Sequence, residues 1–166
     1  MTTLNGIANS IVSVIESVSP DVGKVTPGNP DIGRLTLEHF IAQFVIPRPG
    51  DVTRGQIRYW AVAYAGESAE YLTIALGAAK KAREVNWLVR FWMSWDDTSE
   101  PDFRDLLEAV TTAIDTNKSL LGTVMDHDAC MVTLPNQGQG MVLGDYGCHA
   151  AEIRFRTLDE INLATQ

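Results

Sequence analysis

Cysteine is scarce: two residues in 166, Cys130 and Cys148, are too few to staple a fold. They read as a pair of reduced thiols, and no Cys-x-x-Cys motif accompanies them. Positive charge is also short, with 13 Lys and Arg against 21 Asp and Glu, a formal charge of −8. The deficit is one-sided. Residues 1–83 carry 8 basic and 7 acidic groups, whereas residues 84–166 carry 5 and 14. Phosphate backbones attract clustered Lys and Arg, so tight nucleic-acid binding is disfavoured, with Arg48, Arg54 and Arg58 as one small basic patch. No apolar run reaches the roughly 18 residues of a membrane-spanning helix. Met1–Gly6 puts no basic residue ahead of its apolar stretch, which speaks against a secretory signal. A membrane or exported protein is therefore not expected. Catalytic signatures are missing as well: there is no Gly-x-Ser-x-Gly elbow and no Gly-rich phosphate loop ending in Lys-Ser/Thr. The expectation is a protein that is not an enzyme and has no cofactor and no metal.

What is present fits one globular domain over residues 1–166, since 45% of the residues are hydrophobic and can bury a sizeable core. Leu4, Ile7, Ala8, Ile11, Val14, Ile15 and Val18 recur at helical spacing behind a capping Thr3 or Asn5, with Ser19-Pro20 as the stop. Residues 19–53 are punctuated by Pro and Gly, so a long irregular arm is predicted there, with at most a short strand around Lys24-Val25-Thr26. Residues 56–64 read as a strand. Residues 68–83 fit either state, and their alanines and Lys80-Lys81 tilt the reading toward helix. The alternation of Val85, Trp87, Val89, Phe91, Met93 and Trp95 predicts a strand with all six facing the core. Ser99, Pro101 and the acids of 100–105 open a helix with Phe103, Leu106, Leu107, Val110, Ala113 and Ile114 as its buried stripe. Strands are expected near 129–134, 141–143 and 148–157. Together this predicts an α+β domain, a mainly antiparallel sheet packed against an N-terminal and a central helix.

Three clusters carry possible chemistry, each with a plainer reading. Asp96, Asp97, Glu100, Asp102 and Asp105 could hold a divalent cation, but acids are favoured at a helix start in any case. Asp126-His127-Asp128 could seed a metal site, or be an exposed turn. His149 could activate Cys148 with Asp145 as third member, yet strand neighbours point to opposite faces, which favours a hydrogen-bonded structural histidine. Trp92 lies on the strand face opposite Trp87 and needs a cover, from this chain or from another subunit.

Three segments resemble the tail terminator (tail completion) proteins of long-tailed bacteriophages. They are Arg54-Gly55-Gln56-Ile57-Arg58-Tyr59-Trp60, Asp97-Thr98-Ser99-Glu100-Pro101-Asp102-Phe103 through Val110, and Gly147-Cys148-His149-Ala150-Ala151-Glu152-Ile153. The resemblance runs from residue 54 onward. It implies a virion structural protein of the tail or neck, made in the host cytoplasm, that forms a homo-oligomeric, hexameric ring. The ring would cap the completed tail tube and receive the head–tail connector or a head completion protein, with DNA only passing through. On this reading Trp60, Trp92, Arg48, Arg54 and Arg58 are interface candidates. Asp96, Asp97, Asp126 and Asp128 are candidates to line the channel, where negative charge lets DNA pass without sticking. Other neck or tail-tube proteins of the same layout remain open, as do a metal-dependent enzyme built on the 96–105 acids and a small-ligand binding module near Trp60 or Trp92.

Overall fold

A computed structural model describes residues 3–28, 37–75, 78–96, 99–135, 141–143 and 146–164. Helix α1 spans Leu4–Glu16, and the Thr3 hydroxyl caps it by accepting from the Gly6 amide at 3.0 Å. Then come β1 (Lys24–Pro27), α2 (Leu37–Phe44), β2 (Val45–Arg48), β3 (Asp51–Ala75) and β4 (Ala78–Ser94). Helix α3 (Ser99–Thr116) follows, and β5 (Asp126–His127), β6 (Met131–Thr133), β7 (Met141–Leu143) and β8 (Tyr146–Ala164) complete the chain. The α+β architecture and the two expected helices are as the sequence predicts. No described helix is long and apolar enough to cross a membrane.

Three long strands form the spine of the sheet, in the order β3-β4-β8, all antiparallel. Both margins are patchworks. Along β3, β1 pairs in parallel with Tyr59–Val62 while β2 pairs antiparallel with residues 51–57. Along β8, β7, β6 and β5 pair in turn with residues 146–148, 152–154 and 157–158.

One face of the sheet carries the main core. Trp60, Val62, Val85, Trp87, Val89, Phe91, Met93, Ala151, Ile153 and Phe155 pack against Ile7, Ile11, Val14 and Ile15 of α1 and Phe103, Val110 and Ile114 of α3. Arg58 ends this row, and Gly23 lies against it. A β-carbon at Gly23 would come within 2.3 Å of the Arg58 carbonyl oxygen, and its φ of +107° also favours glycine. The opposite face holds a second, smaller core of Phe44, Ile57, Tyr59, Ala61, Trp92, Cys148 and Ala150, with Val45 and Tyr146 against it. Further along, that face becomes a ladder of ion pairs: Arg90–Glu152 at 3.6 Å, Arg154–Glu152 at 2.9 Å and Arg156–Asp128 at 2.7 Å. Charges of this kind suit a solvated surface.

Three expectations are corrected. The stretch 19–53 is not an irregular arm throughout, because it contributes β1, α2 and β2. Phe44 and Val45 are apolar enough to cover the second face despite the flanking Pro and Gly. Residues 68–75 and 78–83 form strand rather than helix, in β3 and β4, while 76 and 77 lie outside the described residues; Ala78–Arg83 pair with β3 on one side and β8 on the other. Two-sided pairing outweighs the modest helix propensity of Ala and Lys. Trp95 is not core: it lies one residue past the end of β4 and is 54% exposed.

Candidate functional site

Exposed large apolar side chains stand at both ends of α3, as they also do on β6 at Met131 and Val132 and at Ile41, Tyr64 and Leu158. At the first end, β4 turns tightly into the helix. The Ser99 amide donates to the Asp96 carbonyl at 3.2 Å, and the Ser99 hydroxyl accepts from the Asp96 amide at 2.9 Å. That hydroxyl also lies 2.9 Å from His149 Nε2. The His149 ring is stacked on Phe103 at 5.0 Å and meets Trp95 edge-on at 5.9 Å. Phe103 continues inward onto Phe91 at 5.3 Å, and Phe91 onto Trp60 at 3.8 Å, so an aromatic column runs from the core to this surface. Gly147 lies against the indole of Trp95; a β-carbon at 147 would lie 2.8 Å from that ring. Trp95, Glu100, Phe103, Arg104, Leu134 and His149 line a hollow of about 470 Å³ open to solvent.

Electrostatically the hollow is mixed. Glu100 and Arg104 stand on its rim as an exposed pair 3.9 Å apart. Burial lowers the pKa of His149, and the negative charges of Glu100 and Asp96 oppose that shift in part. The Ser99–His149 contact does not make a nucleophile. Ser99 is buried and its hydroxyl closes the turn into α3, so it orients the imidazole rather than being activated by it.

At the other end, α3 runs into a turn held by side chains. Asn117 Oδ1 accepts from the Leu121 amide at 3.0 Å, and the Ser119 hydroxyl accepts from the Gly122 amide at 3.2 Å. Leu120 (φ 45°), Leu121 (φ 60°) and Gly122 (φ 81°) are all left-handed. For the two leucines this costs on the order of 1–2 kcal/mol each. The first is repaid by burial, since Leu120 is fully enclosed in the core. Leu121 is 59% exposed, and so is Met125, whose amide donates to Leu158 in β8 at 2.9 Å. Lys118 shares a shallow surface with Met125 and donates to the His127 carbonyl at 3.2 Å.

His127 braces this end. Its Nε2 lies 2.8 Å from the Ile114 carbonyl and its Nδ1 2.6 Å from the Asp128 carbonyl, so both ring nitrogens are occupied by backbone oxygens. Neither nitrogen is left for a metal ion. Among the described residues no group of three or more His, Cys, Asp or Glu could hold one. Cys130 is braced nearby, its amide donating to Asp115 at 2.9 Å. Burial pushes the Cys130 thiol far above its ordinary range, with the Asp115 carboxylate adding to the effect.

The residues singled out in the sequence are scattered. Trp60 has no exposed surface and its indole donates to the Val22 carbonyl at 2.9 Å; Trp92 is 6% exposed and stacks on Tyr59 at 5.7 Å. The expectation of a subunit interface at these two rings therefore gives way to burial within the chain, and Trp60 can wall no ligand pocket. Arg58 is buried, donating to Gln56 Oε1 at 3.1 Å and the Asp21 carbonyl at 2.9 Å. Arg48 pairs with Asp96 at 2.8 Å. Arg54 is exposed. Arg58 and Arg48 are thus committed to acceptors of this chain rather than to a shared basic patch.

Asp97 lies outside the described residues, as does Asp145. Asp96 sits at the start of α3, whereas Asp126 and Asp128 lie beyond its end and are exposed. Helix α3, 18 residues and about 27 Å long at 1.5 Å per residue, runs between the two groups. Cys148 and His149 face opposite sides of the sheet, as strand geometry predicts: Cys148 joins the second core and His149 the aromatic column.

Sequence reasoning passed over Leu121, Met125 and Leu134. The available signal was Leu120-Leu121 between a helix-ending Asn117-Lys118-Ser119 and Gly122, an apolar pair where turn residues belong. No protein-family model matches the chain, and no curated protein sequence matches it.

Proposed function

We propose that this chain is a ring-forming structural subunit of a long-tailed phage virion, a tail terminator that caps the finished tail tube and receives the head connector. The observation that carries the assembling half of this reading is the exposed apolar surface at both ends of α3. Leu121 and Met125 lie at one end and Trp95 and Leu134 at the other, each 47–59% exposed. A monomer gains nothing by displaying large apolar groups together, whereas a subunit covers them with its neighbours. The terminator half rests on the resemblance of the segments around Arg54–Trp60, Ser99–Val110 and Gly147–Ile153. Its partners are the tail tube protein below and a connector or head completion protein above. DNA crosses the ring without being read.

A second reading, a small-ligand binding module, is favoured by the hollow of about 470 Å³ walled by Trp95, Phe103 and His149. Native mass spectrometry over a concentration series, with imaging of the largest species, separates the two. A closed ring that then binds tail tubes stripped of their terminal ring supports the terminator. Rings that ignore tubes remove that role. A monomer at every concentration whose Trp95 fluorescence responds to aromatic small molecules supports the module.

A further inference from the structure

We propose that Leu121 and Met125 of one copy seat in the Trp95–Phe103–His149 hollow of the next copy, joining subunits head to tail along α3. This rests on the self-assembling reading above and supplies its contact. The two surfaces are different and lie at opposite ends of one helix, the arrangement a heterologous interface requires; such contacts close into rings when the rotation allows. The Leu121 end is a built feature. Two consecutive leucines hold left-handed backbone, Leu121 fixed by Asn117 Oδ1, and the outcome is an outward-pointing apolar side chain. The concave side is equally fixed, since Ser99 and Phe103 lock His149 and Gly147 lies against Trp95.

Charge identifies the occupant as a second copy. Lys118, exposed, lines a shallow surface with Met125, and Glu100 stands on the rim of the Trp95 hollow; Asp126, exposed next to Met125 in the chain, matches Arg104 on the same rim. The exposed Glu100–Arg104 pair thus gains an opposite charge for each member when the Leu121–Met125 end of one chain enters the hollow of another. A foreign partner would have to reproduce that pattern.

The test is charge reversal with rescue, read by sedimentation velocity and native mass spectrometry on the full chain. Lys118→Glu and Glu100→Lys should each weaken assembly at least tenfold, and the double variant should restore it. Leu121→Gly should abolish assembly while leaving the melting temperature unchanged or higher, because it removes an exposed side chain and relieves a left-handed backbone. A merely structural Leu121 would do the reverse and lower the melting temperature. Wild-type protein that stays monomeric throughout overturns the contact. Rings that form equally well in all these variants overturn it too, and leave the ring reading standing. Variants that break and restore an assembly with no affinity for tail tubes uphold the contact and remove the terminator role.

Discussion

Replacing Phe44 by Ala tests whether the segment between β1 and β3 is part of the cooperative fold. Phe44 has no exposed surface, and its ring lies 4.4 Å from Tyr59, which stacks in turn on Trp92. Truncating a buried Phe to Ala costs about 3–5 kcal/mol, more where the cavity cannot collapse. Here α2 lies at the surface, with Ile41 47% exposed, so partial collapse is available and the lower end is expected. For a chain of 166 residues, each kcal/mol moves the melting temperature by roughly 2–4 °C, so a fall of about 6–12 °C follows. Circular dichroism would read the melt. Tryptophan emission would shift to the red as water reaches Trp92, even below the transition. Ile41→Ala is the control and should move neither signal. A Phe44→Ala protein melting within about 2 °C of wild type would refute the reasoning, because a loss of no more than about 1 kcal/mol means α2 is not cooperatively docked.

Two further outcomes follow from the ionisable groups. His149 takes up a proton less readily when folded than when unfolded, so the unfolded chain binds more protons as pH falls below its ordinary value of 6.5. Stability from this residue is therefore full above that pH and lost as pH falls through the folded value. Between pH 7 and 5 the wild type should lose more melting temperature than His149→Gln, and parallel curves would contradict the shift. The Cys130 thiol is held far above its ordinary range, and Cys148 is buried within the second core. Neither should react with iodoacetamide at pH 8 until the protein is unfolded; modification of the native protein at the rate of a free thiol would overturn this.

Elements with a strong period were the legible ones. The apolar spacing of α1 and α3 and the alternation in β4 and in 148–157 record which side faces the core, and they read through directly. The hairpin beyond Glu67 was not legible. Its Ala and Lys residues are strand there because partners supply hydrogen bonds from both sides, and one of the two, β8, lies far outside any local window. The same limit hid α2 and β2. Phe44 and Val45 make sense only against Tyr59, Trp92 and Cys148, which are distant in sequence. At the candidate site, tryptophan content pointed to Trp60 and Trp92, but aromatic content does not tell an anchor in the core from one at an interface. Trp95 inverted the expectation for a local reason, since the strand stops one residue short of it.

One consequence of the sheet concerns synthesis. β8 is the shared neighbour of β4, β5, β6 and β7, so it holds more of the sheet together than any other strand, and it leaves the ribosome after all four. Until it emerges, the whole outer side of β4, from Ala78 to Ser94, is an unpaired edge beside exposed tryptophans. The chain cannot commit to this sheet piecewise as it is made; it must hold a sticky, half-built sheet until β8 arrives. Such a protein should depend on chaperones while nascent far more than its finished stability suggests. A stall between Leu143 and Tyr146 would mark the point of greatest danger for aggregation.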